Sequence, residues 1–465
     1  GFYPMICLVD ACMPEFLDSF AEEIELKKSY LRDLITKGVS NPLDPDIEFL
    51  MLRNWHNLPT FNIDLDGYSP KAIAVDGSLA KRLLSGGCVL YIVRSMAFFG
   101  GKRFRRLEFD ILTSRAGAID VSRYVSRRSE YFEHMVAIDA LESGVDADFL
   151  LLDGSFHSRL MAVPQDIPFE GRRRFMIDYF NMFCKLLNTC RLKGVIPVGV
   201  SKDSRVTILR DYFLSNLLSE ELGNLQPSPE DYAEINRTFQ SILHRRRGQR
   251  VKRFIRLESN YGVGRLARVM QILLEAKTLR SDHQMILRYT KGVGYSTPLE
   301  LGAYGRGPEL LDRYEREPRE YVAKYFPEAI DEAEDPKEFM EEATEVLSRI
   351  PSLSTIVSFH IRLDERDTPL RIDVPSWAFG VNRTLKDLHG FAPLKDLDPS
   401  KIINMLRNLF GGVRHYNILL TTVDNDVRLR RNIVDETYLP ILEKSLGLQL
   451  PIRPVRGYRR GWYVS

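Results

Sequence analysis

The sequence predicts an α/β protein with a mixed β-sheet, flanking helices and a large, mostly helical insertion. Two observations carry this prediction. Short apolar runs of strand character alternate along the chain with longer segments of helical period. Two of the short runs, residues 72–75 and 148–152, are each followed by Asp-Gly-Ser, beginning at Asp76 and Asp153. One Asp-Gly after a strand is ordinary turn chemistry, but its recurrence favours a site built from strand-end aspartates.

Composition narrows the class of protein without identifying a partner. The chain has 465 residues and a hydrophobic content of 44%, which is typical of globular proteins. No apolar run approaches the roughly 18 residues of a membrane span, and we expect no secretory signal in the opening residues. The five cysteines form no CxxC pair, which argues against a zinc ribbon or a disulfide framework and favours a reducing, cytoplasmic location.

The predicted elements before residue 205 alternate strands and helices. Gly100-Gly101 is a hairpin signal between two long strands, and Ser122 is the predicted cap of the first helix after them. In order, the predictions are a helix at 15–37, an irregular connection at 41–70, strands at 72–75, 88–98 and 103–112, a helix at 122–142, a strand at 148–152, a helix at 172–193 and a strand at 195–200.

From the first strand onward, this is the order of elements in the ribonuclease H-like fold. The first three strands should be antiparallel, and the last two should add in parallel because each follows a helix. In that fold, acids from the first strand, the first helix and the fourth strand converge on divalent metal. Asp76 and Asp153 occupy the first and third places. For the second place, Glu133 shares a helix face with apolar residues and should point at the sheet, with Glu130 as the alternative.

The insertion at residues 205–350 is mostly helical in pattern, and its charges are segregated. Residues 244–256 contain seven lysines and arginines without an acid, including Arg245, Arg246 and Arg247. Residues 328–345 contain nine acids and one lysine. The two runs could pair with one another, or the basic run could contact DNA phosphates. No GxxxxGK[ST] motif occurs, so the chain shows no P-loop of its own.

The strand pattern resumes after the insertion, at residues 354–362 and 370–374, which contain the polar residues His360 and Arg371. The tail at 451–465 mixes arginines with aromatics and could stack on bases or dock on another subunit. The predicted division is an N-terminal helix and connection at 1–70, the first part of the core at 71–204, the insertion at 205–350 and a C-terminal part completing the core at 351–465.

Four sequence blocks resemble the NurA nucleases. They are AVDGS at 74–78, LLDGS at 151–155, GVSKDS at 199–204 and PLRIDVP at 369–375, and the region from Tyr416 into the final helix is similar as well. The blocks occur in the order of the family and span most of the chain, whereas residues 205–350 match no motif.

The resemblance implies a symmetric homodimer with a ribonuclease H-like nuclease domain and manganese-dependent cleavage of DNA, with Mg²⁺ as the alternative cation. NurA nucleases act on single-stranded DNA and as 5′-to-3′ exonucleases on duplex ends. They work with the hexameric ATPase-translocase HerA in processing DNA ends. The absence of a P-loop agrees with the need for a separate motor.

The resemblance also implies roles for individual residues. Asp76 and Asp153 would be the strand ligands of the metal and Glu133 the helix ligand. The family places a tyrosine and, eight residues later, a histidine near the C-terminus; Tyr416 matches the first, but Asp424 stands in place of the histidine. Lysine can hold a phosphate as a point charge, so Lys202 is a predicted DNA contact.

The remaining predictions concern further DNA contacts and two alternative functions. Arg371 is a further predicted DNA contact, as are the three arginines that begin the basic run. A non-catalytic clamp on DNA ends, with the same fold, is one alternative function because Asp424 departs from the family pattern. An ATPase of the actin or sugar-kinase type is a second, although no adenosine-binding segment is found.

Overall fold

The computed structural model describes residues 14–36, 41–59, 69–84, 87–113, 117–202, 205–243, 261, 263–278, 280–303 and 307–450. Contacts divide the chain into two compact units. One comprises Gly1–Trp55 and Ser204–Lys291, and the other comprises His56–Asp203 and Gly292–Ser465. Within the described ranges, none of the helices combines the length and the apolar composition that crossing a membrane requires.

Eleven strands in the described residues form one sheet. They are β1 (Trp55–Asn57), β2 (Ala72–Leu83), β3 (Val89–Phe99), β4 (Lys102–Leu112), β5 (Phe149–Asp153), β6 (Ile196–Ser201), β7 (Gly294–Ser296), β8 (Leu299–Leu301), β9 (Ile356–Arg362), β10 (Leu370–Pro375) and β11 (Phe391–Pro393).

The helices of the same residues are α1 (Pro14–Thr36), α2 (Asp44–Arg53), α3 (Ala118–Glu142), α4 (Phe156–Leu160), α5 (Phe175–Lys193), α6 (Ile208–Leu225), α7 (Pro229–Leu243), α8 (Val263–Lys277), α9 (Asp282–Tyr289), α10 (Gly307–Arg316), α11 (Pro318–Tyr325), α12 (Pro327–Glu332), α13 (Pro336–Arg349), α14 (Ser400–Asn408), α15 (Ile418–Val427), α16 (Arg431–Ile433) and α17 (Leu439–Leu446). A π-helical turn, Val434–Tyr438, joins α16 to α17.

The central strands confirm the predicted topology. Strand order through the sheet is β1-β7-β9-β10-β6-β5-β2-β3-β4, and β8 joins β9 to β11. Strands β2, β3 and β4 are antiparallel neighbours, and β5 and β6 add to β2 in parallel. The predicted hairpin is confirmed too, because Gly100 and Gly101 take φ angles of +53° and +88° between β3 and β4. Such angles favour glycine.

The two faces of β2 belong to different cores. Ile73 and Val75 point to a cluster formed with α3 and α5, whereas Ala72 and Ala74 point to a cluster formed with α14 and α15. Side chains alternate between faces along a strand, so Asp76 lies on the face that α15 covers. This places the aspartate between a central strand and the C-terminal helices.

Three local predictions are wrong. The connection at 41–70 is not irregular throughout, because it contains helix α2 and strand β1. Strand β2 does not end at Asp76, because it pairs with β3 without interruption as far as Leu83. Helix α3 begins at Ala118 after Gly117, and Ser122 lies inside it, where its hydroxyl accepts a hydrogen bond from Lys81. In β2, pairing with β3 prevailed over the local turn preference of Asp-Gly-Ser.

The insertion and the charged runs are only partly as predicted. Residues 205–350 are mostly helical, but β7 and β8 within them join the sheet. In the acidic run, Glu328 and Glu332 bind Arg173, and Glu342 binds Arg174. The basic run at 244–256, which includes Arg245, Arg246 and Arg247, lies outside the described residues. The tail at 451–465 lies outside them as well.

Arg371 does not occupy the exposed position that a DNA contact requires. It is 1% exposed, and its guanidinium donates to Asp373 Oδ1 at 3.0 Å and to Ser358 at 3.0 Å. Asp373 Oδ2 also accepts from the Ser155 hydroxyl at 2.6 Å and from the backbone N–H of His157 at 3.2 Å. The prediction for Arg371 is therefore corrected. The residue neutralises a buried carboxylate that fixes the turn following β5.

We expect Asp373→Asn to destabilise the protein by about 3 kcal/mol or more, because it leaves the Arg371 guanidinium buried without a counter-charge. The measurement is the urea midpoint followed by circular dichroism. Asp364→Asn is the matched control, since Asp364 pairs at 3.0 Å with Arg366, which is 81% exposed, and surface pairs contribute little. Equal midpoints for the two variants would contradict the assignment.

Candidate active site

Asp76 and Asp153 lie side by side on adjacent parallel strands. The register pairs Val75 of β2 with Leu152 of β5, and each aspartate follows directly. Both side chains therefore point to the sheet face that α15 covers. The structure brings together the two aspartates that the sequence singled out.

Glu133 approaches Asp76 from the opposite face of the sheet, and Gly77 makes this possible. Any Cβ at residue 77 would lie 2.6 Å from Glu133 Oε1 and 2.7 Å from the Ser129 hydroxyl. A side chain there would displace the glutamate. The glycine after Asp76 is thus needed for the close approach of a helix acid, inside a continuous strand rather than in a turn.

A buried arginine that the sequence analysis missed binds Glu133. Arg159 is 4% exposed and donates to Glu133 Oε2 at 2.6 Å and to the backbone carbonyl of Asp153 at 3.1 Å. Its other terminal nitrogen lies 2.8 Å from His134 Nε2. Burial and the neighbouring guanidinium lower the pKa of His134, so that its neutral ring can accept this bond. Arg159 therefore links the helix acid to the end of β5.

Glu130 is the weaker candidate for the helix acid. Its carboxylate accepts from Arg127 at 2.5 Å and from the Tyr179 hydroxyl at 2.6 Å. Burial and the negative charge of Glu133 both raise the pKa of Asp76, whereas Glu130 is not among its main influences. The geometry therefore favours Glu133.

Lys202 and Tyr416 complete one side of the site. Lys202 Nζ binds Asp153 Oδ2 at 2.9 Å and lies 4.4 Å from the centre of the Tyr416 ring. Burial lowers the pKa of Lys202, but Asp153 and Tyr416 together raise it by more, so the pKa is raised overall and the ammonium stays charged. The Tyr416 hydroxyl is buried and has no hydrogen-bond partner in the described part of the chain. Burial and then Asp153 raise its pKa, which keeps it protonated.

Asp424 lies on α15, which packs on β2 and β3. Its carboxylate binds Arg428 at 3.0 Å, and its charge contributes to raising the pKa of Asp76. The residue is therefore close enough to affect the site electrostatically. His415, the histidine nearest to Tyr416 in sequence, is exposed.

Asp76 is the acid of this site that no cation neutralises within the described residues. Its carboxylate accepts a hydrogen bond from the backbone N–H of Gly77 at 2.8 Å. Burial, followed by the charges of Glu133, Asp153 and Asp424, raises its pKa to about 8. Burial also raises the pKa of Glu133, to about 7, although Arg159 opposes this. With all of its acids ionised, the site would hold more negative charge than the cations of the described residues balance.

Three small residues of the motifs hold the surrounding backbone. The Ser78 hydroxyl accepts from the N–H of Leu429 at 2.9 Å, just after α15. Ser155 caps α4 by accepting from the N–H of Ser158. A Cβ on Gly199 would lie 2.6 Å from the carbonyl oxygen of Gly154. Sequence motifs signalled these positions, but not the contacts that explain them.

The donor groups suit a hard divalent cation. Asp76 and Asp153 offer carboxylate oxygens on one face, and such cations prefer oxygen ligands. In the described ranges no three His, Cys, Asp or Glu side chains are already grouped closely enough to hold a metal ion. Lys202 binds Asp153 Oδ2 and Arg159 binds Glu133 Oε2, so a metal ion at these carboxylates would share them with cations of the protein.

Comparison with known proteins identifies the family. The NurA domain model matches residues 70–429. The crystal structure of the NurA nuclease from Sulfolobus solfataricus is 14% identical, covers 94% of this chain and 98% of that one, and gives a TM-score of 0.50. The crystal structure of NurA bound to dAMP and manganese is 13% identical, covers 94% and 98% of the two chains, and gives a TM-score of 0.39. No curated protein matches significantly.

The family model and the Sulfolobus solfataricus structure confirm the resemblance and the predicted fold. The Sulfolobus solfataricus structure shares the fold over nearly its whole length, and this fold is the predicted ribonuclease H-like mixed sheet. The family model spans well over half of the sequence and includes every residue of the site described above. The chain belongs to the NurA family.

Proposed function

We propose that this chain is a divalent-metal-dependent deoxyribonuclease whose site is built on Asp76, Asp153 and Glu133. The observation that supports this most directly is the buried, unneutralised carboxylate of Asp76 beside a second aspartate. An excess of buried negative charge is costly unless a cation joins it. Membership of the NurA family indicates the class of reaction, which is nuclease cleavage.

The chain's own residues have distinct roles in this proposal. A divalent cation would supply an acidified water and offset charge on the phosphate. Asp76 and Asp153 would hold that cation, and Glu133 would bind it or orient the attacking water. Lys202 lies beside Asp153 and can bind a phosphate oxygen. The unpartnered Tyr416 hydroxyl can donate a hydrogen bond to the phosphate.

The finer activity follows from the family resemblance. We propose cleavage of single-stranded DNA and 5′-to-3′ degradation of duplex ends during end resection and repair. Mn²⁺ is the proposed cation, and Mg²⁺, which also takes oxygen ligands, is the alternative. A symmetric homodimer and a HerA-type hexameric ATPase are the proposed assembly.

One observation favours a second candidate, a non-catalytic clamp on DNA ends. Asp153 and Glu133 are each bound by a cation of the protein itself, and Asp424 replaces the histidine of the family pattern. A protein that retained these pairs permanently would bind DNA without cleaving it. Cleavage of labelled single-stranded DNA in Mn²⁺, abolished by chelator, distinguishes the nuclease from the clamp.

We expect Asp76→Asn, Asp153→Asn and Glu133→Gln each to lower the rate of Mn²⁺-dependent DNA cleavage by roughly 100-fold or more, because each removes a charged oxygen donor from the metal site. Initial rates on labelled single-stranded DNA measure this. Glu130→Gln is the matched control on the same helix and should retain activity. Near-normal rates in either aspartate variant would refute the site.

In chelator, Asp76→Asn should unfold at a higher temperature than the wild type at pH 8. A carboxyl whose pKa is about 8 in the folded protein and ordinary in the unfolded chain binds more protons when folded. Wild-type stability therefore falls as pH rises from about 4 to 8, by at most about 1.4 kcal/mol per pH unit. The amide does not titrate, so its advantage should shrink as pH falls towards 5.

The same melting experiment can be repeated with Mn²⁺ present. Mn²⁺ should raise the melting temperature of the wild type, since ligands that bind only the folded state stabilise it. The gain should be much smaller for Asp76→Asn. A variant that is less stable than the wild type at pH 8, or that gains equally from Mn²⁺, would show that Asp76 is not the unbalanced charge.

The proposed assembly has its own test. The purified chain should have the mass of a dimer in light scattering, and a HerA-type ATPase with ATP should accelerate degradation of duplex ends.

Replacing Arg245, Arg246 and Arg247 by alanine should weaken DNA binding and reduce its salt dependence. If DNA affinity is unchanged and the melting temperature falls instead, the basic run has a structural role.

A further inference from the structure

We propose that Arg105 binds a backbone phosphate of single-stranded DNA, on the face of the sheet that carries Asp76 and away from the scissile phosphate. This inference rests on the proposed nuclease function and extends it to a substrate-binding position on β4. It follows from strand register, from the partners of the neighbouring arginines and from the exposed side chains of β4.

Strand register places Arg105 in line with the catalytic aspartate. Asp76 pairs with Met96 on β3, and Met96 pairs with Arg105 on β4. Residues in register on neighbouring strands share a face, and two strand spacings separate these Cα atoms by about 10 Å. Met96 belongs to the cluster formed with α14 and α15, which confirms the face. Arg105 is thus on the same face as Asp76 and two strands away from it, so we place its phosphate beside the metal that Asp76 would hold rather than on it.

Arg105 differs from the other arginines around it. Arg94 donates to backbone carbonyls that include that of Val427, Arg103 binds Asp426 at 3.0 Å, and Arg106 binds Asp139 at 2.7 Å. Arg105 is exposed, and no carboxylate or carbonyl in the described residues binds it. Its positive charge is therefore available to a ligand.

A cavity lies beside Arg105. Its volume is about 610 Å³, and its lining includes Arg94, Met96, Arg103, Arg105, Asp426 and Tyr438. Met96 pairs with Asp76, and Asp426 is two residues beyond Asp424. The only carboxylate in this lining, Asp426, is already paired with Arg103. The cavity is open and basic, and its lining includes the register partner of Asp76, as a DNA strand bound beside the site requires.

The same row of β4 favours a single strand over a duplex. Leu107 and Phe109 follow Arg105 on its face and are 48% and 53% exposed. Phe109 lies four residues, or about 13 Å, along the strand from Arg105. Basic residues that bind the backbone, together with aromatics that stack on unpaired bases, are the usual means of binding single strands. A strand along β4 could use both.

The test is anisotropy of a labelled oligothymidylate with the full chain in chelator, where cleavage is prevented. Arg105→Ala should weaken binding roughly fivefold or more and reduce the slope of log affinity against log salt by about 0.7, the effect of one phosphate contact in a single strand. Arg105→Lys should restore most of both. Phe109→Ala should weaken binding of the single strand by roughly fivefold and have less effect on a duplex.

Arg123→Ala is the matched control. Arg123 is exposed on α3, which packs against the opposite face of the sheet, and its replacement should leave affinity and salt slope unchanged. If Arg105→Ala behaves like Arg123→Ala while the wild type binds and cleaves DNA, the subsite is refuted and the nuclease function stands.

Two other outcomes also overturn the proposal. If Arg105→Ala alters the mass in light scattering without changing DNA affinity, the β4 row is a contact between protein chains. If the wild type neither binds the oligonucleotide nor cleaves it in Mn²⁺, the nuclease function fails, and the subsite fails with it.

Discussion

The unbalanced carboxylate of Asp76 is the constraint on which the rest of the site depends. It lies in a central strand, buried among other acids, and a backbone N–H is its hydrogen-bond donor. The neighbouring acids each have a protein cation, in the pairs Glu133–Arg159, Asp153–Lys202 and Asp424–Arg428. Such an arrangement is unfavourable for folding but suited to binding a divalent cation, which is a common conflict between stability and function.

The two Asp-Gly-Ser motifs show how one local sequence serves two backbone structures. At Asp76 the motif continues a strand, and its glycine admits a helix acid from the far side of the sheet. At Asp153 it ends the strand, and Gly154 adopts a φ of +117° before the serine that caps α4. Each glycine is required for a different reason. Aspartate identity is therefore a better guide to function here than the turn preference of the motif.

The sequence predicted the order of strands and helices because apolar periodicity reports burial, which is the same physics that forms the sheet. It also predicted the two strand aspartates and the face of α3 that carries Glu133. Strand lengths were less predictable, since β2 extends past Asp76 through pairing with β3 rather than through its own residues.

Charged residues whose burial and pairing depend on the fold were the least predictable. Arg371 has the charge of a DNA contact, yet its partner Asp373 lies on the same strand, two residues away, on the same face. Arg159 carries no sequence signal, because its partner Glu133 is 26 residues away on another element. Whether an arginine has a partner depends on all the carboxylates around it, and Arg105 has none among the described residues. Only the folded arrangement contains that information.

Asp424 changes the charge of this site relative to the family pattern that the sequence resembles. A neutral imidazole at this position would add no negative charge, whereas a carboxylate contributes to raising the pKa of Asp76. Arg428, one turn further along the helix, offsets part of that charge and is 53% exposed, so solvent screens the pair. The net effect is that the site attracts a cation more strongly. Replacing the histidine by aspartate is therefore compatible with the metal site that we propose, because a carboxylate offers oxygen donors, which hard cations such as Mn²⁺ and Mg²⁺ accept.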